Sequence, residues 1–208
     1  MRRYAGTGCA PAARRAVVSP AEPARRVPHG GQDAGVSTPP ARPRSGYAVE
    51  VVRYTRSSTL WWGENADGED VVATWNGRVL TWASPEDCFA AAAVEGWDVA
   101  HDEVTRMDLT PALEWLARRR ALDAEAALNA WNLAGDMARS TGTPWGDRGR
   151  VADACHRKLT VACVPWLVGQ DDCSPRWTVT EERYLRRRVG AAIALFGQQV
   201  VGRRRQRP

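Results

Sequence analysis

The 208-residue chain is 44% hydrophobic and 25% charged, proportions of a globular protein with one domain, and no run approaches the 18 or so apolar residues that span a bilayer. Its formal charge of +5 is uneven: residues 1–45 hold eight Arg against Glu22 and Asp33 (net +6), residues 203–208 hold four Arg (net +4), and residues 46–202 are left with −5. A mildly acidic body argues against a folded nucleic-acid-binding surface and leaves only non-specific, salt-sensitive contact through the tails, such as Arg203-Arg204-Arg205.

Residues 1–45 hold seven of the 13 prolines and almost no large apolar side chain. Such a segment buries too little surface to offset its ordering entropy, so it reads as a disordered leader, or as sequence ahead of a true start near Tyr47. Ala16-Val17-Val18 is too short for the core of an export signal, and the apolar segment that should follow Arg2-Arg3 is missing. With an odd set of five cysteines (Cys9, Cys88, Cys155, Cys163 and Cys173), the expectation is a cytoplasmic protein with reduced thiols.

Residues 46–202 read as one α+β domain, with 203–208 as a basic tail. Tyr47, Val49 and Val51 alternate, Leu60-Trp61-Trp62 is a short aromatic strand, and Asn65-Ala66-Asp67-Gly68 is a turn. Asn76-Gly77, between Val71-Val72 with Trp75 and Val79-Leu80 with Trp82, is a strong hairpin signal, because a type I′ turn needs positive φ at both central positions. The pattern predicts an antiparallel β-meander of three to four strands.

About five helices follow. Ser84 caps the first, Pro85 suits its first position, Phe89, Ala92 and Ala93 form its apolar stripe, and Gly96 ends it. Pro111–Arg120 is the second. The third, about Ala124 to Ser140, buries Leu128, Trp131, Ala134 and Met137, leaving Glu125, Asn129, Asn132, Asp136 and Ser140 as a polar face. A short helix spans Val151–Val161. The last begins at the capping box Thr178-Val-Thr-Glu181 and buries Tyr184 or Leu185, Val189, Ile193, Phe196 and Val200. Strands first and helices after imply two layers, the helices on one sheet face.

No motif forces a chemistry: there is no G-x-S-x-G, P-loop or H-E-x-x-H. Gly63–Asp70 resembles a calcium loop but lacks an acid at the first position and a Glu at the twelfth, so it reads as an acidic turn. Cys155-His156, Cys163 and Cys173 lack paired metal-ligand spacing, and neither a metal nor a cofactor is expected. His101-Asp102-Glu103 offers acid/base groups that more simply solvate a loop. The ten tryptophans serve either core packing or a binding platform, with Trp62, Trp75 and Trp82 expected to share a sheet face. The sharpest constellation is Trp131-Asn132 with Asp136, then Ser140 and Trp145, since Asn132 and Asp136 stand one helical turn apart.

The stretch Leu128–Ser140 (LNAWNLAGDMARS), with Trp177, Glu181, Glu182, Gly190, Leu195 and Phe196 after it, resembles small uncharacterised bacterial proteins that carry a WN…D…S helix. Some of these look like immunity proteins of bacterial toxin systems. The resemblance implies a non-enzymatic module that binds and blocks a protein, and it identifies no catalytic residue. The expected function is therefore a protein-binding module with a basic partner, its binding residues drawn from Trp131, Asn132, Asp136, Ser140, Trp145, Trp62 and Trp75. The alternative is a small enzyme with a polar site at Asn132/Asp136 or His101/Asp102.

Overall fold

In the computed structural model, described for residues 42–164 and 175–202, the alternating valines form β1 (Ser45–Arg53). It pairs in antiparallel register with β2 (Arg56–Glu64), Tyr47 opposite Trp62 and Val49 opposite Leu60. Gly46 and Gly63 face each other in that ladder; a Cβ on Gly63 would collide with the Ser45 carbonyl, so only glycine fits. Asn65 builds the next turn by accepting from the amides of Asp67 and Glu69, with Gly68 at φ 77°. β3 (Asp70–Val72) then returns along β2. β4 (Thr74–Trp75) and β5 (Arg78–Thr81) are joined by Asn76 and Gly77 at φ 50° and 70°, the expected type I′ geometry.

The fold is α+β, with a mixed sheet. β6 (Asp98–Val99) and β7 (Thr105–Asp108) lie parallel to β1 along one edge, in a stretch the sequence marks only as loop. β4 and β5 leave the main sheet and form a second one with β8 (Val200–Gly202), which runs parallel to β5. The pairing of residues 79–81 with 200–202 spans the domain, which local pattern does not encode.

Among the described residues five helices follow: α1 (Pro85–Glu95), α2 (Thr110–Leu116), α3 (Ala124–Thr141), α4 (Arg150–Cys163) and α5 (Val179–Gln199). Local signals set their ends. The Ser84 hydroxyl accepts from the Asp87 amide, Gly96 closes α1 in the left-handed region, and Thr178 and Glu181 bond each other's amides in the expected capping box. α2 is shorter than expected, stopping before Arg118, whose φ of 59° breaks the helix.

The helices do not all lie on one face. Ala48, Trp61, Ala73, Leu80 and Trp82 pack under α1 around Cys88 and Ala92, whereas Ala93 is exposed. Val49, Val51, Leu60 and Val72 face the other way, against α2 to α5. The arrangement is thus three layers, because both faces of β1 and β2 carry apolar side chains and each needs a cover. α3 is central and touches β3, α2, α4 and α5. Its expected outer polar face is therefore wrong at two positions: Asp136 and Ser140 are 8% and 6% exposed. No described helix is long and apolar enough to cross a membrane. Trp166, Cys9, Cys173, residues 1–41 of the expected leader and the basic tail lie outside the described residues, while Arg44 and Ser45, expected in the leader, already belong to the sheet, Arg44 bonding the Glu64 carbonyl and Ser45 opening β1.

Candidate functional site

α3 supplies the floor of a cleft of about 600 Å³. Because Trp131, Asn132, Gly135, Asp136 and Arg139 recur at helical spacing, they share one side of α3. β2 and β3 add Trp62 and Asp70, the α3–α4 loop adds Asp147, and α4 adds Asp153, His156 and Arg157.

Asp136 is the most constrained group. Its Oδ2 accepts from the Trp62 indole N–H at 3.0 Å, and its Oδ1 accepts from Arg139 at 2.7 Å. The same Arg139 nitrogen donates to the Asp70 carbonyl at 2.7 Å, so the helix is bolted to the sheet edge. One turn on, the Ser140 hydroxyl accepts from the Val72 amide at 2.9 Å and donates to the Asp136 carbonyl at 2.7 Å. Burial pushes the Asp136 carboxyl up to about 6, helped by the Asp70 charge and opposed by Arg139 and the indole bond. The Tyr47 hydroxyl is raised by burial and then by the charges of Asp70 and Asp136.

On the other wall the His156 imidazole bonds the Asn132 amide oxygen at 3.0 Å and meets the Trp131 ring edge-on at 5.6 Å. Burial holds His156 below its ordinary value, so it is neutral near pH 7 and its Nε2–H donates to Asn132. Among the described residues, the cleft's lining thus holds four carboxylates against Arg139 and Arg157, two indoles, and no Ser, Thr, Cys or Lys.

Of the residues expected at a site, Trp62, Trp131, Asn132 and Asp136 converge in this cleft. Ser140 is buried behind it, in a helix-to-strand bond. Trp145 flanks it: a Cβ on Gly135 would meet the Trp145 indole nitrogen at 3.6 Å, and the Arg188 guanidinium stacks 4.6 Å from the Trp145 ring. Trp75 lies apart, 55% exposed on β4 in the second sheet. Trp62, Trp75 and Trp82 do not share a face: Trp62 reaches α3, while Trp82 packs with Trp61 beneath α1. His101 also lies outside the lining, stacked on Tyr47 at 4.5 Å, and Asp102 is exposed.

Arg139 was accessible to sequence reasoning by its spacing of three from Asp136. His156, Asp147 and Asp153 were not, because only the packing of α4 on α3 brings them in. Cys88 is pushed up to about 12, and Cys155 and Cys163 to about 11, by burial first. No three His, Cys, Asp or Glu side chains are grouped to hold a metal among the described residues.

No family model and no curated protein matches the chain. Among solved structures it is similar to the SatS C-terminal domain, in a crystal structure with bromine, at 14% identity and a TM-score of 0.44. That likeness covers 75% of this chain and 92% of the other, and it says nothing of function.

Proposed function

We propose that this chain is a non-enzymatic binding protein whose cleft grips a basic segment of a protein partner, blocking that partner in the manner of immunity-type proteins. The observation that carries this reading is the cleft's composition. Asp70, Asp136, Asp147 and Asp153 come from four different segments, outnumber the two arginines of the described lining, and stand beside the half-buried Trp62, with Trp131 buried behind them at 3% exposure. Carboxylates beside indole surfaces favour a cationic group, by ion pairing and by attraction to the ring faces. Among the described residues, the lining's side chains of nucleophilic kinds are His156 and the carboxylates.

The test is titration of the full chain with an arginine-rich hexapeptide and a glutamate-rich one, read by tryptophan fluorescence. The arginine peptide should bind, and Asp147→Asn with Asp153→Asn should weaken it about tenfold, with salt doing the same. Equal binding of the two peptides, or none of the arginine peptide at millimolar concentration, would refute the reading.

A second reading has one specific support. Asp136, raised to about 6, and His156, lowered, lie in one cleft, as acid and base groups do in many active sites. Against it, both Asp136 oxygens are already engaged, by Trp62 and Arg139.

A further inference from the structure

We propose that the cleft on α3 takes an arginine-bearing peptide by a main-chain carbonyl as well as by its charge, the carbonyl accepting from the Asn132 amide, which His156 holds in place. The inference rests on the binding reading above and deepens it. The carboxylates attract a cation, and Asn132 decides which cationic ligands fit.

Asn132 is half-buried in the lining, on the same side of α3 as Asp136. Its side chain accepts through one oxygen and donates through two N–H groups. The oxygen is already taken, 3.0 Å from Nε2 of the neutral His156 on α4. The imidazole is itself half-buried and edge-on to the Trp131 ring, so it is a firm anchor. An amide held by its oxygen does not turn over without losing that bond. Its NH2 is what remains, and it meets no acceptor among the described residues. Nor is that nitrogen sealed in the interior, so a ligand in the cleft can reach it. A side chain fixed in one orientation by a second helix, with its donors left open, is pre-organised to meet an acceptor.

The other open groups say what the ligand must bring. The Asp70, Asp147 and Asp153 carboxylates make no ion pair among the described residues, and neither does Arg157, exposed on α4. The cleft therefore offers acceptors and donors together. A chain of cations on methylenes answers the carboxylates alone and leaves Asn132 and Arg157 facing nothing. A peptide answers both. An arginine side chain brings five N–H donors to the carboxylates, and every residue brings a main-chain carbonyl with two lone pairs.

The test is titration of the full chain at low salt, read by tryptophan fluorescence, with two ligands of equal charge. One is acetyl-Arg-Arg-amide; the other is 1,4-diguanidinobutane, which has two guanidiniums and no carbonyl. The natural chain should bind the peptide about fivefold more tightly, the worth of one net hydrogen bond. Asn132→Asp keeps the shape and the oxygen that faces His156 but exchanges the donor for a charged acceptor. It should tighten the diguanidine and abolish the preference for the peptide. His156→Leu should reduce the preference, and His156→Gln, whose amide N–H replaces the ring N–H, should keep it. These ratios of two affinities separate positioning from a general loss of fold, which would weaken both ligands alike. Equal binding of the two ligands by the natural chain, or Asn132→Asp tightening both to the same degree, overturns the carbonyl contact and leaves the cation-binding reading standing. A preference unchanged in His156→Leu overturns the positioning role. Failure of both ligands to bind at millimolar concentration overturns the binding reading and this inference with it.

Discussion

Asp136→Asn should make this protein more stable at neutral pH, and the size of the gain can be worked from the site. The carboxyl is pushed from 3.8 to about 6, and its side chain is 11% exposed, so solvent screens little of the effect. At about 1.4 kcal/mol per pH unit, holding the charge in the folded state costs about 3 kcal/mol. The sign follows from linkage: a folded-state value above the unfolded one binds the proton more tightly when folded. Stability is fully present below 3.8 and is lost as pH rises through about 6. Asparagine has no charge to hold and can still accept from Trp62, giving up the bond to Arg139, whose side chain is half exposed. The assay is urea unfolding of both proteins at pH 4.5 and 7.5, read as their difference so that other carboxylates cancel. The difference should shift toward the variant by about 2 kcal/mol between those pH values, or roughly 4–8 °C in Tm. A difference that stays constant across the range would show that Asp136 is not held charged at a cost, and the reasoning would fail.

Two further outcomes test other parts of the structure. Ser140→Ala leaves the buried Val72 amide without its acceptor, so it should cost about 1–3 kcal/mol in urea unfolding and speed hydrogen exchange at Val72; an unchanged exchange rate there would contradict the bond. Cys88, fully buried and pushed up to about 12, should alkylate at pH 8 on the order of 100-fold slower in the native protein than in denaturant, as followed by mass mapping of the modified peptide.

What was legible in the sequence is what short-range chemistry decides. Asn76-Gly77 forces its turn, Ser84 and Gly96 bracket α1, and Thr178 and Glu181 start α5, because each signal acts within a few residues. The pairing of Asn132 with Asp136 in one cleft follows from the helical repeat alone. β6, β7 and β8 were hidden, being two to four residues long and fixed by partners far along the chain. The burial of Asp136 and Ser140 was hidden for a related reason. Their faces look polar, and only the arrival of β3, with an amide and a carbonyl to satisfy, turns that polarity inward.

Charge shows most clearly how averaging over sequence misleads. Residues 46–202 sum to −5, a figure that suggests a uniformly acidic surface. Folding separates the signs. α5 starts with Glu181-Glu182 and continues Arg183, Arg186, Arg187, Arg188; its two acids are spent on Lys158 and Arg186, while Arg183 and Arg187 stay exposed. The opposite holds at the cleft on α3, where Asp136 stays buried although ionising it opposes folding. A group kept against its own stabilising interest is a stronger pointer to use than any count of charges, because an amide side chain there would still accept from Trp62 and would fold at least as well. If Asp136→Asn both gains stability and loses the arginine-rich peptide, those two results together tie the cost of that carboxylate to binding.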